Sequence, residues 1–365
     1  MRTIIATILI AFCIIGCGQP IANVIKERQF KVGEILSLSG NDLSSISQAM
    51  QQGIDLATEE INSQGGISGQ QVHIIYEDDQ LDSVKAVGAA TKLTSTDHVS
   101  ASFIAGANTA KAASAVFDQQ QTPMIVLWDV NDDLKNAGDY TYGIGFSTEG
   151  AGHAMAERLY AQGTRTVGIV RHQDEWSQLI AGSFVKRFKE LGGGIVADES
   201  VAVGATDFRS TLLKMHGADA IYAPLVGQLD VFFIQARQSG YTGIITTGDS
   251  MTQDAVDAAK GAAEGVQFTQ VTAKGAKLDH LHQLYVQKYG KEPELLVFTA
   301  LGYDGMMTLK DAAERSSDDP LALHKALYDV KDLDGAAGTV TIDSTGFAQK
   351  FEPLFVVKDG KMVEE

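Results

Sequence analysis

The sequence predicts an α/β protein of two Rossmann-like lobes, each with a parallel central sheet. Three observations predict it. Short apolar runs alternate with helix-length segments from Phe30 onward, these units are too many for one modest sheet, and the rhythm breaks at Tyr140–Glu149. Strand–helix alternation builds parallel sheets whose faces are both covered by helices. Composition agrees: of 365 residues, 44% are hydrophobic and 21% charged, the ordinary usage of a chain that packs a core. Single cores stop growing at roughly 250–300 residues, so a chain of this length divides.

The first segment is a leader. Met1 and Arg2 precede an uncharged apolar run, Ile4 to Ile15, of twelve residues. A membrane-spanning helix needs about 20, so the run suits the apolar part of a secretory signal. It ends in Ile14-Ile15-Gly16-Cys17, which resembles a bacterial lipobox, although Ile15 stands where a small residue is preferred. The expectation is a lipoprotein signal peptide over 1–16, a lipid on Cys17 and a polar tether over 17–29. Acyl chains supply membrane affinity through their buried CH₂ groups. Cys13 and Cys17 are the two cysteines of the chain, so no disulfide and no cysteine metal site is built downstream.

The body follows in order. Lys31–Ser37 reads as a strand, and Ile46, Met50, Ile54, Ala57 and Ile61 form one apolar helical stripe. Gly65-Gly66 then reads as the stop of that helix, where positive φ makes a Cβ costly. Further strands are expected at Val72–Tyr76, Val99–Ile104, Met124–Trp128, Thr166–Val170, Ala220–Leu225, Gly243–Thr247 and Gly265–Val271. Helices are expected at Asp82–Leu93, Glu175–Leu191 and Gln228–Gly240. A second interruption falls at Val271–Lys277, beyond which helices dominate: Leu278–Tyr289, Leu295–Ser316 and Pro320–Val330. Two closing strands, Gly338–Asp343 and Phe351–Val357, are placed to pair across a turn containing Gly346.

Charge and motifs exclude several classes. A formal net charge of −17 is unsuited to nucleic acid, whose phosphates are bound mainly by Lys and Arg. There is no nucleophile elbow and no P-loop, and Gly143-Ile144-Gly145 lacks the third glycine of a dinucleotide fingerprint. His280 and His282, two apart, diverge on a helix and read as surface residues. Glu77-Asp78-Asp79 reads as acidic support for the start of the helix near Asp82 rather than as a metal site. No enzyme activity and no cofactor is expected.

Further residues carry a resemblance. Ser37-Leu38-Ser39-Gly40, Gly53, Glu60 to Gly69, and Glu77-Asp78-Asp79 stand in order along the first third. Gly106-Ala107-Asn108-Thr109, Thr206-Asp207-Phe208, Gln235 to Gly240 and Gly302-Tyr303-Asp304-Gly305 follow. Together they resemble the type I periplasmic binding proteins, in particular the leucine/isoleucine/valine-binding proteins of ABC importers. The resemblance implies lobes joined by a three-crossing hinge that close on a ligand. Lobe 1 would take 30–146 plus 274–338 and lobe 2 would take 147–273 plus 339–365, with the third crossing near Gly338–Val340.

It also implies a site. Asn108 and Thr109 match a small hydroxyl position that binds a ligand carboxylate, Asp249 matches an acidic partner for an α-ammonium, and Trp176 matches an aromatic lid. Phe298 and Tyr303 lie on the helix after the second crossing, Phe298 as a cleft candidate. Trp128-Asp129-Val130 departs from the family, whose equivalent strand end is small and polar. A second acid there disfavours an anionic ligand end, and an indole offers its face to a cation or ring. The expected partners are a small-molecule ligand (an amino acid or related polar or cationic solute), an ABC permease, and a membrane reached through lipid at Cys17. The expected protein is a monomer on the periplasmic or extracellular face. The alternative is a ligand-binding receptor subunit that serves a membrane sensor or envelope protein instead of transport.

Overall fold

The computed structural model describes residues 28–40, 43–348, 350 and 352–365. The signal peptide, Cys17 and all of the tether before Arg28 lie outside the described residues. The first lobe holds β1 (Phe30–Leu36), β2 (Val72–Asp78), β3 (Ala101–Ile104), β4 (Met124–Val126) and β5 (Thr141–Gly143). These form one sheet in the order β2-β1-β3-β4-β5, parallel throughout. It carries α1 (Ser44–Ser63), α2 (Ser83–Lys92), α3 (Ala107–Gln119) and the short α4 (Asp132–Lys135). Tyr140–Glu149 is therefore more than an interruption, because it begins with the edge strand β5.

The second lobe begins with α5 (Thr148–Ala161), β6 (Thr166–His172), α6 (Glu175–Glu190) and β7 (Gly194–Val201). It continues through α7 (Arg209–Lys214), β8 (Ala220–Tyr222), α8 (Leu229–Gln238), β9 (Ile244–Thr247), α9 (Gln253–Ala258) and β10 (Gln267–Thr269). The chain then returns to the first lobe as α10 (Leu278–Tyr289), α11 (Leu296–Arg315) and α12 (Pro320–Leu327), and ends with β11 (Leu354–Lys358) and β12 (Lys361–Glu364) in the second. The second sheet runs β12-β11-β10-β9-β8-β6-β7. Its β6 to β10 are parallel, whereas β11 is antiparallel to both β10 and β12.

The closing strands correct the sequence reading. Gly338–Asp343 forms no strand; Val340 bridges to Leu333 and Ile342 to Ala348. The partners of β11 are β10 and β12, so the hairpin turns at Asp359-Gly360, not at Gly346. Val340, Ile342 and Ala348 still pack in the first lobe's core. The chain thus stays with that lobe past Gly338–Val340.

Sequence patterns explain the local structure. The stripe Met50, Ile54, Ala57 and Ile61 is fully buried, and Gly65 and Gly66 follow α1 with φ of +102° and +80°. Two other glycines bring helices together: a Cβ on Gly53 of α1 would lie 1.9 Å from the Thr299 carbonyl oxygen, and one on Gly302 of α11 would lie 2.0 Å from that of Met50. No L side chain fits there, so α1 and α11 touch backbone to backbone. Glu77-Asp78-Asp79 divides its work. Asp78 accepts from Leu38 N and Ser39 Oγ at 2.9 and 2.5 Å, Asp79 accepts from Ser37 Oγ at 2.6 Å, and Asp82 caps α2. The acids fasten the loop after β1.

The passages between lobes lie side by side. Phe146 pairs with Lys350 in parallel, and Gln270 N donates to the Pro353 carbonyl at 3.2 Å. The three connections thus form one ribbon, the arrangement of a hinge whose few residues absorb the backbone change of closure.

Candidate functional site

In parallel α/β sheets the carboxyl ends of strands and the helix N-termini beside them form the ligand crevice. Here both sheets contribute such an end. Trp128 and Asp129 follow β4, Tyr222 ends β8, Asp249 follows β9, and Glu352 stands just before β11 where that strand passes the end of β10.

Asp129 is half-buried and accepts a 2.6 Å hydrogen bond from Thr148 Oγ1, the first residue of α5. Burial raises its carboxyl above the ordinary range, Thr148 opposes the rise, and the Glu175 carboxylate adds to it. From the other lobe, Asp249 is pushed up to about 6, first by burial and also by the charge of Asp129, while a contact from the Trp176 side chain restrains the shift. Asp249 does not cap α9, because that role is filled by Thr252, whose hydroxyl accepts from Ala255 N. Glu352 is raised by burial, then by Asp249 and Asp129. These three acids therefore feel one another across the cleft. Like charges in a partly desolvated gap favour the neutral forms until a cation arrives.

Aromatic side chains flank the acids. The Trp128 ring meets Phe298 edge to face, with centroids 5.2 Å apart, and Phe298 sits in the first turn of α11. Trp176, on the first turn of α6, lies against Gly248, where an added Cβ would come 3.0 Å from the indole. Tyr303 is elsewhere: it is buried in the first lobe, and its hydroxyl donates to Glu60 at 2.8 Å.

Of the expected anion contacts, Asn108 is exposed and Thr109 is buried, with Oγ1 donating to the Gly106 carbonyl at 3.2 Å. The Thr109 hydroxyl is thus engaged with its own turn. The first turn of α3 has no side-chain cap, which leaves its backbone N–H groups as the donors at that end. Two surface grooves, of about 210 Å³ beside Glu149 and Lys186 and about 440 Å³ beside Glu60 and Lys288, include none of these residues.

Sequence reasoning missed Glu352, Tyr222 and Thr148. A signal existed for Glu352, an acid inside the otherwise apolar run Phe351–Val357. Tyr222 carried none beyond its place in a strand.

Two lobes whose strand ends face each other over buried carboxyls, joined by a ribbon of three passages, define a protein that captures a solute. Residues 29–360 match the family model described as Periplasmic binding protein, and the chain belongs to that family. It is 26% identical over 350 residues to the Leu/Ile/Val-binding protein homolog 3 of Brucella melitensis, covering 91% of this chain and 92% of the relative. Among solved structures it is similar to a leucine-binding protein from Thermotoga maritima, with 27% identity, TM-score 0.74, and coverage of 92% and 97%. A branched-chain amino acid transporter substrate-binding protein from Streptococcus pneumoniae, in complex with isoleucine, gives 27% identity, TM-score 0.74, and coverage of 93% and 100%. Family and fold are those of solute-binding proteins and not of enzymes.

Proposed function

We propose that this chain is the extracytoplasmic solute-binding component of an ABC importer, capturing an amino acid or a related small polar or cationic solute between its lobes. The observation that carries the reading is the placement of Asp129 on one lobe and Asp249 on the other, each within electrostatic reach of its opposite. An ammonium group in that gap would be paired by both when the lobes close. The relatives support the importer role, since they are named for leucine, isoleucine and valine and for branched-chain amino acid transport. Trp128 and Asp129 in place of a small polar strand end argue against a strict branched-chain specificity. The Asn108–Thr109 turn, through its backbone, is the proposed seat of a carboxylate where the solute has one. Trp176 and Phe298 close the aromatic sides.

The lobe boundaries expected above, with the third passage moved past Ala348, and the attachment through Cys17 belong to the same proposal. Gly16-Cys17 supports the lipid, and the polar residues after it supply a tether. A thermal-shift screen of amino acids and amines tests the function. A solute at 100 times its Kd adds about 2.7 kcal/mol to stability, a readily measured rise in Tm. If no amino acid and no amine raises Tm, the reading fails.

A further inference from the structure

Gly248 follows β9 at the carboxyl end of the second sheet, beside Asp249, and its place is filled from α6. A Cβ there would lie 2.8 Å from Ile180 Cδ1, 3.0 Å from Trp176 Cζ2 and 3.1 Å from Trp176 Cη2. Trp176 and Ile180 stand four residues apart, so one face of α6 carries both onto this glycine. Gly248 does not have the positive φ that calls for glycine at other turns of the chain. What calls for glycine here is space, and the indole takes it.

The helix turn that carries the indole is tied down. Asp174 caps it, accepting from Ser177 N at 2.9 Å and from Ser177 Oγ at 2.6 Å, and Gln178 Nε2 donates to the His172 carbonyl at 2.6 Å and to Ser200 Oγ at 3.0 Å. On its inner side the half-buried Trp176 packs against the core cluster that contains Ile180, Phe184 and Tyr222. Carbon atoms rest about 3.5–4.0 Å apart, so a methyl at position 248 displaces the ring edge by roughly 0.5 Å, whereas the Ile180 methyl can turn aside. With the helix pinned and the core packed, the direction left to the ring is outward from the strand end, which in a parallel α/β sheet is the ligand crevice.

We propose that Gly248 is a positioning residue of the cleft: it seats Trp176 against the end of β9, and the depth of that seat sets the room left for the solute's side chain. This rests on the solute-binding reading above and names a determinant of its specificity.

Titration calorimetry of the purified chain, of Gly248→Ala and of Gly248→Val, with L-alanine, L-leucine and L-phenylalanine as probes, tests it. Affinity should fall from the unmodified chain to Gly248→Ala to Gly248→Val, by about tenfold or more for the bulkiest probe that binds and less for L-alanine. Adding Trp176→Phe to Gly248→Val removes the two ring atoms that meet the new side chain and should recover a large part of the loss. The chain has two tryptophans, so Trp128→Phe leaves Trp176 as the single indole emitter, and Gly248→Val in that background should shift its emission to the red. The unliganded Tm of each variant shows that it folds. The proposal is overturned if the emission does not shift, if Gly248→Val leaves the affinity of every bound probe unchanged, or if Trp176→Phe restores nothing. If none of the three probes binds the unmodified chain, the sizing role is rejected, and the wider screen of amino acids and amines decides the parent reading separately.

Discussion

The ammonium of Lys350 lies 3.6 Å from the Asp304 carboxylate, and the two side chains are only 6% and 0% exposed. Asp304 also accepts from Ala336 N and Ala337 N, at 2.5 and 2.9 Å. This one carboxylate therefore ties α11, the segment after α12 and the last passage between lobes. Burial raises the Asp304 carboxyl and lowers the Lys350 ammonium, while their mutual attraction opposes both shifts. Desolvation outweighs the pairing.

Removing one partner of this pair should be costly. Asp304→Ala leaves a buried ammonium and two backbone donors unanswered, an expected loss of about 3–5 kcal/mol in urea unfolding. Adding Lys350→Met to it should recover a large part of that loss. Equal stability of the single and double variants would show that the pair is uncoupled.

Glu34 sits in the middle of β1, fully buried, with neither carboxyl oxygen hydrogen-bonded. Burial, and then the charge of Asp55, raise its carboxyl well above the ordinary range. A folded-state value above the unfolded one means that stability is highest at low pH and falls as pH rises through the unfolded value of about 4.3 toward the folded one. Glu34→Met should remove that decline and add about 1–3 kcal/mol at pH 8, read from denaturation at several pH values.

The α1–α11 contact admits no side chain. Gly53→Ala forces the helices apart and should cost about 1–3 kcal/mol or more, seen as a fall in Tm with the helical circular dichroism retained. Gly88→Ala in α2, where an added Cβ meets nothing within 4 Å, is the unclashing comparison and should instead stabilise by about 0.5–1 kcal/mol.

The fold was largely legible because its signals are local. Apolar runs of β1, β4, β6 and β9 and the stripe of α1 follow from period alone. β7 was not, since Gly194 to Val201 alternates exposed and half-buried residues at a sheet edge, and its apolar run Ile195 to Ala197 gives way to Asp198-Glu199-Ser200. Phe351–Val357 was mispaired because one true partner, β10, lies 85 residues earlier by the register Thr269–Leu354, a distance that no local pattern encodes, while the other, β12, was passed over although Asp359-Gly360 is a local hairpin signal. Asp129 and Asp249 were readable as strand-end acids. That their charges act on each other and on Glu352 depends on how two lobes assemble.

Asp249 should set the pH dependence of capture. Its carboxyl, pushed up to about 6 in the folded protein, is ionised less as pH falls. Affinity for an ammonium-bearing solute should rise about tenfold between pH 5 and pH 7, and Asp249→Asn should bind more weakly with a flatter profile. The unliganded protein should show the opposite trend, losing stability over the window from about pH 4 to pH 6 as the unfolded carboxyl ionises first. Calorimetry and melting at matched pH separate the two.

Cys17→Ser should release the protein from membranes into the soluble fraction and block processing of the leader. Normal processing together with membrane retention would remove the lipid from the proposal.

The antiparallel hairpin of β11 and β12 has a consequence for how the molecule is made. It covers β10, and Val357 fills the second lobe's core, yet these residues are synthesised after every other described element. Until they emerge, the second sheet has an open edge of unpaired backbone groups, the surface on which chains aggregate. The first lobe is not complete until after the second has begun, because α10 to α12 return to it, and the second is completed last of all. Folding is thus deferred until nearly the whole chain has been made.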